Sequence, residues 1–188
     1  MHRLHITLRW LALCVSSTLF SGFLPGKIAH RPGKAGGTAG ALVALGLQCA
    51  LLDASWAIPA AITVGSFLVG VLAVGPAERF MVARWGPRKR HTGETVTSDF
   101  NETNIDEFHG QFLAGLPVWL VDAPPGHRVT ALLIAFVVFR IFDTTKIWPV
   151  RQVETRFKGT AFGVMIDDTV AALPGALAAI LILLIALR

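Results

Sequence analysis

Five of the chain's twelve acids stand beside apolar runs, in three short blocks. The first block is Asn104-Ile105-Asp106-Glu107-Phe108-His109-Gly110. Asn104 and Glu107 have the spacing of a capping box, so a helix is expected to begin here. A cap accounts for Glu107, and the helix dipole favours Asp106. Neither explains two adjacent acids on a segment about to enter a membrane. His109 shares a helical face with Asp106 and is read as structural first and as a metal ligand second. In the second block Arg140, Asp143 and Lys146 recur at i, i+3, i+6 before Pro149, which disfavours helix beyond Ile147. A surface ion-pair ladder covers two of the three. It fits Arg140 poorly, since Arg140 directly follows the apolar run 131–139. The third block, residues 163–172, sets Asp167 and Asp168 between apolar runs with no base nearby in sequence. A solvated helix end is the plain explanation. Unpaired, however, the two acids repel each other and rise in pKa. A divalent cation is the physical remedy, because Mg²⁺ takes a few carboxylates and lets a phosphate complete its shell. Arg140 and Lys146, with Arg151 and Lys158 as further bases, suit phosphate. The constellation suggests Mg²⁺-dependent phosphoryl chemistry at a membrane surface.

The elements that must carry these residues are apolar. The 188 residues are 53% hydrophobic and 15% charged, against about 25% charged in soluble domains. That excludes an ordinary cytosolic protein, and the apolar content excludes disorder. A net charge of +5 on such a chain points to anionic lipid before nucleic acid. Cys14 and Cys49 form no zinc spacing and no disulfide framework. Thirteen of seventeen Lys and Arg, and ten of twelve acids, fall in residues 25–38, 76–110 and 140–172. The short breaks 53–56 and 122–128 carry one base, Arg128. The positive-inside rule then puts the three charged stretches on the cytoplasmic side and the breaks on the other. This predicts a hairpin over 39–75 turning at Asp53-Ala54-Ser55-Trp56. A second pairs 111–121 with 129–142 through Ala123-Pro124-Pro125-Gly126, and a last run covers 173–187. Several runs are shorter than the roughly 20 residues of a full span. No apolar run alternates like a strand, so the expected fold is all-α: a small multi-helix integral membrane bundle in one domain, residues 1–188. Residues 1–24 are expected to be an uncleaved apolar helix rather than a signal peptide, spanning or lying in the interface.

At the acidic blocks the sequence resembles the phosphatidylglycerophosphatase A family, from about residue 20 to the C-terminus. Asp-Glu-x-x-Gly matches Asp106 to Gly110. Phe-Arg-x-x-Asp-x-x-Lys-Pro-x-Pro matches Phe139 to Pro149. Gly-Ile-Met-x-Asp-Asp-x-x-Ala-Gly matches Gly163 to Ala172. A weaker echo of an early Pro-Gly-Thr-x-Gly-Ser loop is Pro32-Gly33-Lys34-Ala35-Gly36-Gly37. The chain departs from the family at Ile147 for Pro, Ala172 for Gly, and Lys34 and Gly37 for Thr and Ser. Residues 158–161 are also poorer in glycine. No departure removes a carboxylate. The resemblance implies a bacterial inner-membrane enzyme with a cytoplasmic site that hydrolyses phosphatidylglycerophosphate to phosphatidylglycerol and phosphate. Asp106, Glu107, Asp167 and Asp168 would hold Mg²⁺. Asp143 would add a ligand or orient water, and Arg140, Lys146 and Arg151 would bind the phosphate. Water or an aspartate is the nucleophile, and sequence leaves both open, as it does the oligomeric state. The rival is a non-catalytic small transporter or metal-binding membrane protein, which would need polar groups at depth. A phosphatidyltransferase is a third reading, but its Asp-Gly-x-x-Ala-Arg start is absent.

Overall fold

A computed structural model describes residues 2–28, 30, 35–89, 95–98 and 100–187. Among these residues eight α-helices follow one another: α1 His2–Ser16, α2 Leu24–Ile28, α3 Gly36–Ala50, α4 Ala57–Trp85, α5 Ile105–Gly115, α6 Pro125–Thr145, α7 Val150–Phe157 and α8 Ala161–Ala186. Their ends follow local chemistry. Helix α4 stops at Gly86, whose φ of 79° suits only glycine, with Pro87 next. Helix α6 starts on Pro125, where a missing N–H costs nothing. Helix α8 is capped by Thr160, whose Oγ1 accepts the Gly163 N–H at 2.9 Å.

Helix α5 lies at the centre and packs against α3, α4, α6 and α8. The core around it is built largely from small residues: Ala41, Ala114, Ala131, Ala135, Ala171 and Ala179. Small side chains let helix backbones approach closely, as they must when lipid offers no hydrophobic penalty. Outward faces are apolar instead. Val64, Leu68 and Leu72 form an exposed i, i+4 stripe on α4, and Leu173, Leu177 and Leu181 form one on α8. Helices α4 and α8 are long and apolar enough to cross a membrane. The N-terminal pair, bent by 71°, is a third candidate if it counts as one span. Its bend falls at Thr18, Leu19 and Phe20, three successive residues with positive φ.

The bundle has two unlike ends. At one, Asn104 bonds Gly36 and Ser21, Arg140 reaches Thr38, and Lys146 reaches Asp167. At the other, Trp119 Nε1 donates to Leu51 O at 3.0 Å and Arg128 donates to Leu52 O. The charged stretches thus meet at one end and the two short breaks at the other, as the charge pattern predicts. Three local expectations differ. The loop after α4 contains a two-residue antiparallel ribbon, Arg88–Lys89 with Thr95–Val96. The helix expected at Asn104 does start there, at Ile105, but the 111–121 run does not continue as one helix: it breaks after Gly115 into a 3-10 turn over Leu116–Trp119, too short to span. The last helix begins at Ala161, not 173, so Asp167 and Asp168 lie inside α8 rather than at a solvated end.

Candidate active site

The start of α5 is tied down by its neighbours. Asn104 precedes it, but its side chain makes no capping bond, so the predicted capping box does not form. Instead Asn104 Nδ2 donates to Gly36 O at 2.9 Å and to Ser21 Oγ at 3.0 Å, while its N–H donates to Ser16 O at 2.8 Å. The first turns of α3 approach closely because they lack side chains. A Cβ on Gly37 would overlap Glu107 Oε1, and one on Gly40 would overlap the Asn104 carbonyl. The early loop therefore contributes through Gly36, Gly37, Thr38 and Gly40. Pro32, Gly33 and Lys34 lie outside the described residues.

Helix α6 brings the cations. Arg140 Nη1 lies 2.7 Å from Asp143 Oδ2 and 4.0 Å from Glu107 Oε1, and its Nη2 donates to Thr38 Oγ1 at 3.4 Å. Lys146 ends the helix in a left-handed conformation, φ 47°. Its Nζ contacts Asp143 at 3.1 Å, Asp167 at 2.9 Å and Asp168 at 3.8 Å. Burial opposes the Lys146 charge, but Asp168, Asp143 and Asp167 outweigh it and raise its pKa. The base missing from the local sequence of Asp167 and Asp168 is thus Lys146, supplied from the neighbouring helix.

Asp106, Glu107 and Asp168 form the other half. Each offers a carboxylate oxygen, and these oxygens all lie within 4.8 Å of one another. Asp106 Oδ1, Glu107 Oε2 and Asp168 Oδ2 are buried without a hydrogen-bond partner. Burial, then the charges of Glu107 and Asp168, push Asp106 well above the ordinary carboxylate range. Burial also pushes Glu107 up to about 7; the Asp106 hydrogen bond opposes this, Asp143 reinforces it and Arg140 opposes it. Desolvated, mutually repelling hard-oxygen donors fit a hard dication. Of the four expected metal ligands, these three converge. Asp167 is turned to Lys146, and its Oδ1 accepts the Asp168 N–H at 3.0 Å.

Two further expectations resolve differently. Arg151 is exposed on α7 and makes none of the ion pairs of this cluster. His109 stands apart from the convergent carboxylates, on the structural side of its two readings. Burial lowers its pKa against the Thr63 hydrogen bond. Its Nδ1 donates to Thr63 O at 2.9 Å, and its Nε2 lies 3.0 Å from the Thr169 hydroxyl, which also reaches Met165 O at 2.8 Å. It thereby ties α4, α5 and α8 together beside the acids. Sequence reading missed Thr38 as the Arg140 partner. It also missed the buried Gln48–Gln111 pair, in which Gln111 Nε2 donates to Gln48 Oε1 at 2.9 Å. A lone glutamine in each of two apolar runs was the available signal.

The sequence that builds this cluster is similar to known proteins. Residues 14–185 match the family described as Phosphatidylglycerophosphatase A. A protein of that name from Haemophilus influenzae is 32% identical over 85 residues. That match spans 45% of this chain and 48% of the relative, about half the length of each. No solved structure matches. The family match runs through all three acidic blocks and nearly the whole bundle that positions them, and the chain belongs to the phosphatidylglycerophosphatase A family.

Proposed function

We propose that this protein is a Mg²⁺-dependent lipid phosphatase that hydrolyses phosphatidylglycerophosphate to phosphatidylglycerol and phosphate, working at the cytoplasmic face of a bacterial inner membrane. The observation that carries it is the convergence of carboxylates from Asp106, Glu107 and Asp168, each with one buried oxygen that has no hydrogen-bond partner, beside the Arg140 and Lys146 cations. The family name supplies the substrate class. Asp106, Glu107 and Asp168 would hold the ion, which supplies positive charge next to the phosphate when bound. Lys146 and Arg140 bind phosphoryl oxygens and stabilise the charge redistributed as the ester bond breaks. Asp143 contacts both cations and fixes their separation. The net reaction forms one bond from a water oxygen to phosphorus and breaks the bond from phosphorus to the glycerol oxygen, which leaves with a proton.

The test is purified protein in detergent with phosphatidylglycerophosphate, scored for phosphate release with Mg²⁺ and with chelator. Release that needs Mg²⁺ is expected. Equal release in chelator rejects the metal, and no release under either condition rejects the activity.

A further inference from the structure

A cleft opens beside the carboxylates that the reaction as described does not use. Its lining includes Asp167, whose Oδ2 takes the Lys146 ammonium. Phe157, Gly159, Lys158, Glu154 and Ser98 also line it. Its wall is built rather than incidental. A Cβ on Gly163 would overlap the Phe157 carbonyl, so the last turn of α7 sits directly on the first turn of α8. The connection between them turns through Gly159 at φ 80° and is pinned by the Thr160 cap.

The lining is chemically divided. Lys158 is exposed, and among the described residues no carboxylate lies within ion-pairing distance of it. It offers one positive charge on the cleft that Asp167 also lines. Glu154 and Ser98 line the same cleft and can bond a hydroxyl, while Glu154 repels an anion from its own side. The first turn of α8 adds the positive end of its dipole. An anionic terminal phosphate, held at Arg140 and Lys146, leaves the rest of a lipid headgroup to be placed. That remainder is a three-carbon glycerol with one free hydroxyl, joined to a second, singly charged phosphate.

We propose that this cleft seats the phosphodiester half of the headgroup, with Lys158 pairing the diester anion and Glu154 and Ser98 bonding the glycerol hydroxyl. This rests on the reading that the terminal phosphate lies at Arg140 and Lys146. The cleft would then separate lipids that carry a second phosphate from simple lipid phosphomonoesters.

The experiment measures competitive inhibition of phosphatidylglycerophosphate hydrolysis by two probes. Glycerophosphoglycerol carries the diester and hydroxyl but no terminal phosphate; inorganic phosphate carries neither diester nor glycerol. Lys158→Ala should raise the inhibition constant of glycerophosphoglycerol roughly tenfold and leave that of phosphate in place, a split that loss of one charge-assisted contact predicts. Lys158→Arg should restore most of the binding. If glycerophosphoglycerol fails to inhibit the wild type, or if Lys158→Ala shifts both constants equally or neither, the subsite is wrong while the activity stands. A wild type that releases no phosphate from the lipid overturns the activity and the subsite with it.

Discussion

Asp167 and Asp168 are neighbours in sequence with different partners. Asp168 converges with Asp106 and Glu107, whereas Asp167 faces Lys146. Both Asp167→Asn and Asp168→Asn should lower activity at least roughly a hundredfold, about 2.7 kcal/mol of transition-state stabilisation. If the proposed site holds Mg²⁺, the ion should raise the melting temperature, and of these two variants only Asp168→Asn should abolish that rise, because Asp168 and not Asp167 belongs to the proposed ligand group. An Asp168→Asn protein that Mg²⁺ still stabilises would show the grouping to be wrong. The raised acids predict a pH dependence. Glu107 titrates near 4.5 when unfolded and near 7 when folded, and Asp106 shifts the same way. The folded state thus binds more protons between those values. Its stability is fully present below the unfolded pKa and is lost as pH rises through the folded one. In chelator the melting temperature should fall from pH 5 to pH 8. With excess Mg²⁺ the slope should flatten or reverse, since metal needs ionised ligands. Unfolding curves at both pH values, with and without Mg²⁺, check this; a metal-free protein more stable at pH 8 contradicts it.

At the scale of elements, two glycines make opposite predictions. Gly37→Ala on α3 would crowd Glu107, a side chain able to swing away. Alanine is also the better helix former by up to about 1 kcal/mol. Stability should hold while activity drops at least about tenfold. Gly163→Ala on α8 would meet the Phe157 carbonyl, which moves only with the backbone of α7. Its melting temperature should fall clearly. Melting curves beside phosphate release separate the two, and full activity in Gly37→Ala would remove Glu107 from the site. Much of this was legible in the sequence. The i, i+3, i+6 run did put Arg140 and Lys146 on Asp143, and Pro149 did mark the end of α6. The long reach from Lys146 to Asp167 was not legible. It depends on the register of α6 against α8, which close packing such as that of Gly175 against the Ala135 carbonyl sets. The start of α8 was misplaced because the two acids read as a break between apolar runs. In the structure the acids are neutralised from α6, and the helix runs through the proline.

At the scale of the molecule, the segregation of charged stretches from short breaks predicts sidedness. Reporter fusions at Lys158 and Gly126 should read opposite compartments, with Lys158 cytoplasmic. The same compartment for both would reject the two-ended arrangement as a membrane topology. The order of the chain has a consequence for biosynthesis. The acids and cations of the site lie on α5, α6 and α8, which emerge from the ribosome in that sequence. Before α8 is made, Asp106 and Glu107 lack their third carboxylate and Lys146 lacks two of its three partners. The last helix therefore does more than add a span. In a nascent chain stalled before Ala161, Lys146 has Asp143 alone of the three carboxylates that hold it in the finished bundle, so the charge balance of the site is set only when the last helix docks.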